Sequence, residues 1–259
     1  ILYLFRRPGQ LIRALLSVYV VMPVVAILMV TIFTLNPVVE VVLIALSISP
    51  VPPLFPGKAF KSGGDTSFTF GLLAAITLLS VIVIPIAFGI FDVVLKRETQ
   101  FTELSLVFTV MKTLILPMVI GMMLRYFAPA FCARFGDVIG KIAGILLIVS
   151  ILPILIFILP LIWSLIGDKT VLAFIIFALA GGLSGYFLGG PDPHERTVLA
   201  LATTSRHPAI AITLAAANVD DAPTKLVAAA VILYLIVSTI VIAPFLKWLS
   251  DHKGGEKKL

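Results

Sequence analysis

The run Thr203-Thr204-Ser205-Arg206-His207-Pro208 sets three hydroxyls, a permanent cation and an imidazole side by side within an otherwise apolar stretch. Arginine stays protonated in proteins, so Arg206 either grips an anionic group through paired N–H donors or stands in for a mobile cation. His207 carries a ring that ordinarily titrates near neutral pH. It is a candidate proton carrier, or a neutral partner for backbone groups freed at the proline. Thr203, Thr204 and Ser205 offer oxygens to an ion or a substrate, or else turn back onto helix carbonyls. A charge near the middle of a bilayer costs about 2.5–3.5 kcal/mol on insertion scales, which calls for a binding role or a firm structural one. The structural alternative is that Arg206 only ties carbonyls together.

A second interruption, Ser49-Pro50-Val51-Pro52-Pro53-Leu54-Phe55-Pro56-Gly57, breaks another apolar stretch. Pro50, Pro52, Pro53 and Pro56 each lack a backbone donor and forbid a regular helix. Carbonyls left free there can line a cavity, with Pro50, Pro53, Phe55 and Pro56 as candidate walls, or the segment is a rigid kink without a ligand. Irregular backbone at membrane depth persists only where protein buries it or water reaches it. A matching pair of interruptions, one in each half of a chain, marks the binding site of a secondary transporter.

The elements that must position these residues are membrane helices. Of 259 residues, 60% are hydrophobic and 12% charged, against roughly 25% charged in a soluble domain. A span needs about 20 mostly apolar residues. Eight stretches qualify, at roughly 11–33, 38–60 (interrupted), 67–93, 104–126, 138–160, 169–189, 195–217 (interrupted) and 223–247. Connectors are short, so the chain reads as one all-α, polytopic membrane domain over 1–259. With eight crossings, one side holds Arg6, Arg7, Arg13, Lys58, Lys61, Arg125, Arg134, Lys141, Arg196, Lys247, Lys253, Lys257 and Lys258, and the other only Lys96, Arg97, Lys169 and Lys225. The richer side is expected to be cytoplasmic, with both ends of this chain there. The protein is expected in a bacterial inner or plasma membrane.

The remaining polar residues read more plainly. The net charge of +6 is scattered between helices and points to anionic lipid, not nucleic acid. One cysteine, Cys132, excludes an intrachain disulfide and a cysteine metal cluster. Glu40 and Lys112 read as interfacial, Asp92 as a local partner of Lys96, and Asp251 to Leu259 as a solvated tail. His194 and Glu195 sit in a connector and open a helix; a metal site needs more ligands. Gly182-Leu183-Ser184-Gly185 reads as small-residue helix packing, not a nucleophile. No His-Glu-x-x-His run occurs, which argues against an intramembrane metalloprotease. The chain starts at Ile1, with Ile1 to Phe5 reading as the tail of an apolar segment, and is expected to be N-terminally incomplete.

The halves echo each other weakly. Each interrupted stretch is followed by a short polar connector and a long apolar helix with a late proline, ending Ser80-Val81-Ile82-Val83-Ile84-Pro85 and Ser238-Thr239-Ile240-Val241-Ile242-Ala243-Pro244. With these go Arg7-Pro8 through Val21-Met22-Pro23, Pro50, Gly64-Asp65, Leu116-Pro117 through Gly121-Met122-Met123-Leu124-Arg125, and Arg206-His207-Pro208-Ala209-Ile210-Ala211. In this order the set resembles the bile acid:sodium symporter superfamily, from the approach to its third helix through its tenth. The resemblance implies two inverted five-helix repeats whose broken fourth and ninth helices cross. Here the first repeat would be truncated, at 1–95, and the second would cover 104–248.

The same resemblance implies sodium sites built from polar side chains after the fourth-helix proline, a fifth-helix hydroxyl, and a carboxylate with Gln and Asn in the ninth helix. This chain keeps Thr69, with Thr77 nearby, but has no oxygen-bearing side chain from Val51 to Pro56. No acid lies between Glu195 and Asp220, and Arg206-His207 replace the amide pair. The expectation is a secondary carrier of a small organic anion in a lipid bilayer, not an enzyme. Na+ coupling is weakened, H+ coupling through His207 is an alternative, and no firm cofactor is implied. Arg206, His207, Pro208, Pro50, Pro53, Phe55 and Pro56 are the candidate substrate contacts; Thr203, Thr204, Ser205, Thr69 and Thr77 are the candidate ion contacts. A non-transporting anion sensor is the other class to be separated from a carrier.

Overall fold

The protein is seen in a computed structural model, which describes residues 3–95, 107–108, 110–167, 169–218 and 223–256. Lys96, Arg97, the start of the stretch at 104, Asp220 and the last three residues lie outside them, as does the expected Asp92–Lys96 pair.

The described residues form helices joined by short turns: α1 (Pro8–Ile32), α2 (Pro37–Ile48), α3 (Phe55–Lys61), α4 (Thr66–Leu95), α5 (Met111–Phe127), α6 (Pro129–Leu165), α7 (Thr170–Leu188), α8 (Pro193–Thr204), α9 (Pro208–Ala216) and α10 (Thr224–Glu256). Helix falls within each of the eight apolar stretches. By length and apolarity, α1, α4, α7 and α10 can each cross a membrane alone, and α5 with the start of α6 makes a fifth candidate bent by 112° at Ala128. The interrupted stretches resolve into the pairs α2–α3 and α8–α9, each member too short to span alone.

Local chemistry explains several boundaries. Three helices begin with a capping side chain followed by proline, whose fixed φ and missing N–H suit the first helical position. Asn36 accepts from Val38 N–H before Pro37, Asp192 from His194 N–H before Pro193, and His207 from Ile210 N–H before Pro208. Two helices contain a π turn, at Ser17–Val21 and Met111–Ile115. Each lies just ahead of a proline, Pro23 or Pro117. Proline rings clash with the carbonyl four residues earlier, here Tyr19 and Thr113, and widening the preceding turn relieves the clash. Pro85 and Pro244 lie inside α4 and α10. The expected connector before 138 is itself helical: α6 starts at Pro129 and runs for 37 residues.

Two apolar clusters organise the interior. The larger joins the second half of α1, α2, the end of α4, a few residues of α5 and α6, the first half of α7, α9 and α10. The smaller joins the start of α1, α3, α4 and α8. At its break the first interrupted stretch passes from the larger cluster (Ile48) to the smaller (Val51), and the second passes from the smaller (Ala202) to the larger (Ile210). The two broken helices therefore run in opposite senses between the same two bodies. In contrast, α5 and α6 leave large apolar side chains uncovered, among them Ile120, Met123, Phe157 and Trp163. Contiguous exposed apolar surface of this kind suits lipid, not water, and the chain is an integral membrane protein.

Candidate functional site at the helix crossing

The two breaks touch. The backbone N–H of His207 donates to the Pro50 carbonyl at 2.8 Å. Nη1 of Arg206 donates to the carbonyls of Ser47 and Ser49, at 3.3 and 3.2 Å. A helix leaves its last four carbonyls without intrahelical partners, and in a dry interior each must find another. At the end of α2, Ser49 N–H takes the Ala45 and Leu46 carbonyls, and the arginine takes those of Ser47 and Ser49. At the end of α8, Ser205 N–H takes the Leu201 carbonyl and the Tyr234 hydroxyl donates to that of Thr204 at 2.7 Å. Both helix C-termini carry partial negative charge, so a guanidinium beside them is electrostatically favoured.

Arg206 is fully buried. Its Nε and Nη2 have no partner among the described residues, and the ion pair recorded there, Arg7–Glu195, does not involve it. The phenols of Tyr19 and Tyr234 are its electrostatic neighbours, and their own protons go to the Ile76 and Thr204 carbonyls. Nη1 lies on the side of the guanidinium nearest Cδ. The two unpaired groups, Nε–H and Nη2–H, share the opposite edge and point the same way. That edge matches the two oxygens of a carboxylate.

The other expected residues divide. Pro50 and Pro208 flank the crossing, and His207 caps α9 through Nδ1, 3.4 Å from Ile210 N. A ring accepting at Nδ1 is neutral with its proton on Nε2. The Thr203 and Thr204 hydroxyls turn back onto the carbonyls of Leu199 and Ala200, at 2.8 and 2.9 Å. Ser205 is half-buried in the break. Phe55 lies in the smaller apolar cluster, whereas Pro53 is exposed and Pro56 half-buried at the start of α3. On α4, Thr69 bonds the Asp65 carbonyl at 2.5 Å and Thr77 is buried, its carbonyl taking the Ser80 hydroxyl.

Sequence reasoning missed three groups at this centre, Ser17, Tyr19 and Tyr234. Ser17 bonds Thr203 at 2.8 Å and Ser184 at 3.2 Å, joining α1, α7 and α8 through hydroxyls. Tyr19 and Tyr234 flank the arginine. The π turn carries Ser17 and Tyr19, and the proline of Met22-Pro23 was the signal for it. Tyr234, inside a long apolar helix, had none beyond being polar among aliphatic neighbours.

Glycines bring α8 close to α7. A Cβ on Gly185 would lie 2.5 Å from both Ala200 Cα and the Leu199 carbonyl oxygen, and one on Gly181 3.2 Å from the Thr203 oxygen. Gly189 likewise abuts the backbone of Arg196. With Ser184 also hydrogen-bonded, this stretch is the small-residue packing seam expected from sequence.

A second polar cluster lies at the other end of α8. Glu195, 3% exposed, accepts from Tyr3 Oη at 3.0 Å and from Gln10, and pairs with Arg7 at 3.6 Å. The residue read as part of a connector thus clamps the start of the described chain to α8. An open hollow along α5, lined by Met122, Met123, Arg125, Tyr126 and Phe127, includes none of the crossing residues.

No curated protein matches the chain. The model of the Sodium Bile acid symporter family matches residues 1–165, which include α1, the first break and Pro50 but end before α7 and Arg206. The match extends over more than half the chain. This protein therefore belongs to the sodium bile acid symporter family.

Proposed function

We propose that this chain carries a small organic anion across the membrane by alternating access, with the Nε/Nη2 edge of Arg206 receiving the anionic group. The family consists of transporters, which accounts for a bilayer setting and a small-molecule substrate. The observation that carries the reading is a fully buried guanidinium with one edge unpaired, held where two broken helices meet. Leaving charged donors dry and unpaired is costly unless a ligand or water satisfies them for part of the cycle. Substrate sites of secondary transporters sit at such breaks, where half-helix termini supply charge. The opposed senses of the two broken helices support an arrangement of inverted repeats, and the Lys and Arg bias supports eight crossings with both ends of this chain on the cytoplasmic side.

Arg206 would be both anion receptor and structural tie, because Nη1 and the Nε/Nη2 edge serve different partners. Pro50 and Pro208 would fix the backbone around it. Proton coupling would require His207 to release Nδ1 from the α9 cap, so uniport or exchange is the simpler reading. The test is uptake of a panel of organic carboxylates and sulfonates by proteoliposomes, with sodium and pH gradients varied separately. Saturable uptake of at least one anion is expected. Measurable binding with no uptake under any gradient would overturn the carrier reading in favour of a sensor.

A further inference from the structure

Sodium coupling would need a set of hard oxygen ligands at the crossing, and the carbonyls that end α2 there already face the Arg206 guanidinium. The carbonyls of Ser47 and Ser49 bind Arg206 Nη1, the Pro50 carbonyl binds His207 N–H, and the Thr204 carbonyl binds Tyr234. The Thr203 and Thr204 hydroxyls donate to their own helix, and Thr203 also shares a bond with Ser17. Each of these oxygens keeps a lone pair, so the obstacle to a sodium ion is the guanidinium itself, which holds the Ser47 and Ser49 carbonyls. A sodium ion near Ser47 and Ser49 would compete for their lone pairs and meet a permanent like charge.

We infer that Arg206 is a tethered resident cation: its Nη1 fills a cation position formed by the Ser47 and Ser49 carbonyls and excludes sodium from the crossing. The inference rests on the anion-carrier reading only in supplying a reason for coupling; the cation position itself follows from the donor set. Three features support it. The position lies at the C-terminal ends of α2 and α8, where helix dipoles favour positive charge. No carboxylate among the described residues pairs with Arg206, so the carbonyl ends are its counterparts. Ser47 and Ser49 are fully buried, as is the guanidinium, so bulk water does not compete for these carbonyls.

A position defined by carbonyls should accept a free cation once the tether is cut. Arg206→Gly removes the side chain and leaves room for a guanidinium ion. The purified full chain is melted in detergent at matched ionic strength in choline, sodium or millimolar guanidinium chloride. Wild type is expected to show the same Tm in sodium and choline. Arg206→Gly is expected to melt lower and to regain several degrees, saturably, with guanidinium. Arg206→Lys keeps a tethered point charge, so it should fold and ignore sodium, and it serves the test if the glycine variant does not fold. The inference is overturned by a saturable rise in Tm with sodium over choline in wild type or Arg206→Lys. It is also overturned by a folded Arg206→Gly that responds to guanidinium no more than to choline. None of these readings needs a transported anion. A failure to carry anions would remove the proposed function and leave this result standing, and the reverse also holds.

Discussion

The contact between α7 and α8 gives a sharp test of how the crossing is held. In Gly185→Ala the new methyl carbon would stand 2.5 Å from Ala200 Cα, 2.5 Å from the Leu199 oxygen and 2.6 Å from Ala200 N. All three are backbone atoms, so no rotamer change relieves the contact. Ordinary contact begins at 3.4 Å, and 3.4 − 2.5 leaves the helices 0.9 Å too close. Overpacking of this kind costs about 1–3 kcal/mol, and the better helix propensity of alanine returns up to about 1 kcal/mol. The net loss of up to about 2 kcal/mol corresponds to a fall in Tm of about 4–8 °C for a chain of this size. Gly185→Val adds bulk at the same place without the full propensity gain and should lose more. Gly140, on α6, has nothing within 4 Å of its Cβ position, so Gly140→Ala is the control and should be neutral or slightly stabilising. Thermal unfolding of the purified chain in detergent reads all three. Because α8 carries Thr203 and Thr204 to the crossing, withdrawing it should also weaken ligand binding there. Wild-type Tm in both Gly185 variants would refute the backbone-contact argument.

Three other perturbations follow from the same geometry. Tyr234→Phe removes the donor to the Thr204 carbonyl and strands a buried acceptor, for a loss of about 1–3 kcal/mol; a stability within error of wild type would mean another donor replaces it. His207→Asn keeps a capping oxygen for α9 whereas His207→Ala does not, so chemical unfolding should place the alanine variant about 1 kcal/mol below the asparagine one. The reverse order would remove the capping role. Glu195→Ala should cost about 1.5–3 kcal/mol through the lost bonds from Tyr3 and Gln10, whereas Arg7→Ala should cost less than about 1 kcal/mol because the Arg7 side chain is 52% exposed. Equal losses would show that the ion pair, not the hydrogen bonds, holds the clamp.

Proline and charge made the centre of this molecule legible from sequence. Pro50, Pro52, Pro53 and Pro56 cannot continue a membrane helix, and Arg206 cannot sit in lipid unaccompanied, so both breaks stood out against 60% hydrophobic composition. The cap-then-proline pairs Asn36-Pro37, Asp192-Pro193 and His207-Pro208 mark helix starts for the same local reason. What sequence did not disclose depends on distance along the chain. Glu195 looked like a connector residue because its partners, Tyr3 and Gln10, lie 192 and 185 positions away. Tyr234, a lone phenol in a long apolar helix, gains its partner only because α10 lies against the end of α8. Phe55, proposed as a cavity wall, is fully buried and belongs to the smaller cluster with Val51, Phe68 and Val198; an aromatic beside prolines reads alike in either setting. The π turns were encoded in Met22-Pro23 and Leu116-Pro117, but a proline alone does not say whether a helix kinks or widens. The long α6 shows the same limit, since residues 129–137 carry charge like a connector yet continue as helix.

The central claim is that Arg206 offers a charged edge to an anion at the crossing of two broken helices. Equilibrium binding of a radiolabelled organic carboxylate, identified by the uptake panel, tests it most directly in wild type, Arg206→Lys and Arg206→Gln at matched folded yield. The expected result is a loss of at least about 100-fold in Arg206→Gln, corresponding to about 2.7 kcal/mol for a charge-assisted bidentate contact, with a smaller loss in Arg206→Lys. Wild-type affinity in a folded Arg206→Gln protein would contradict the account and leave Arg206 as a tie between α2 and α9 alone.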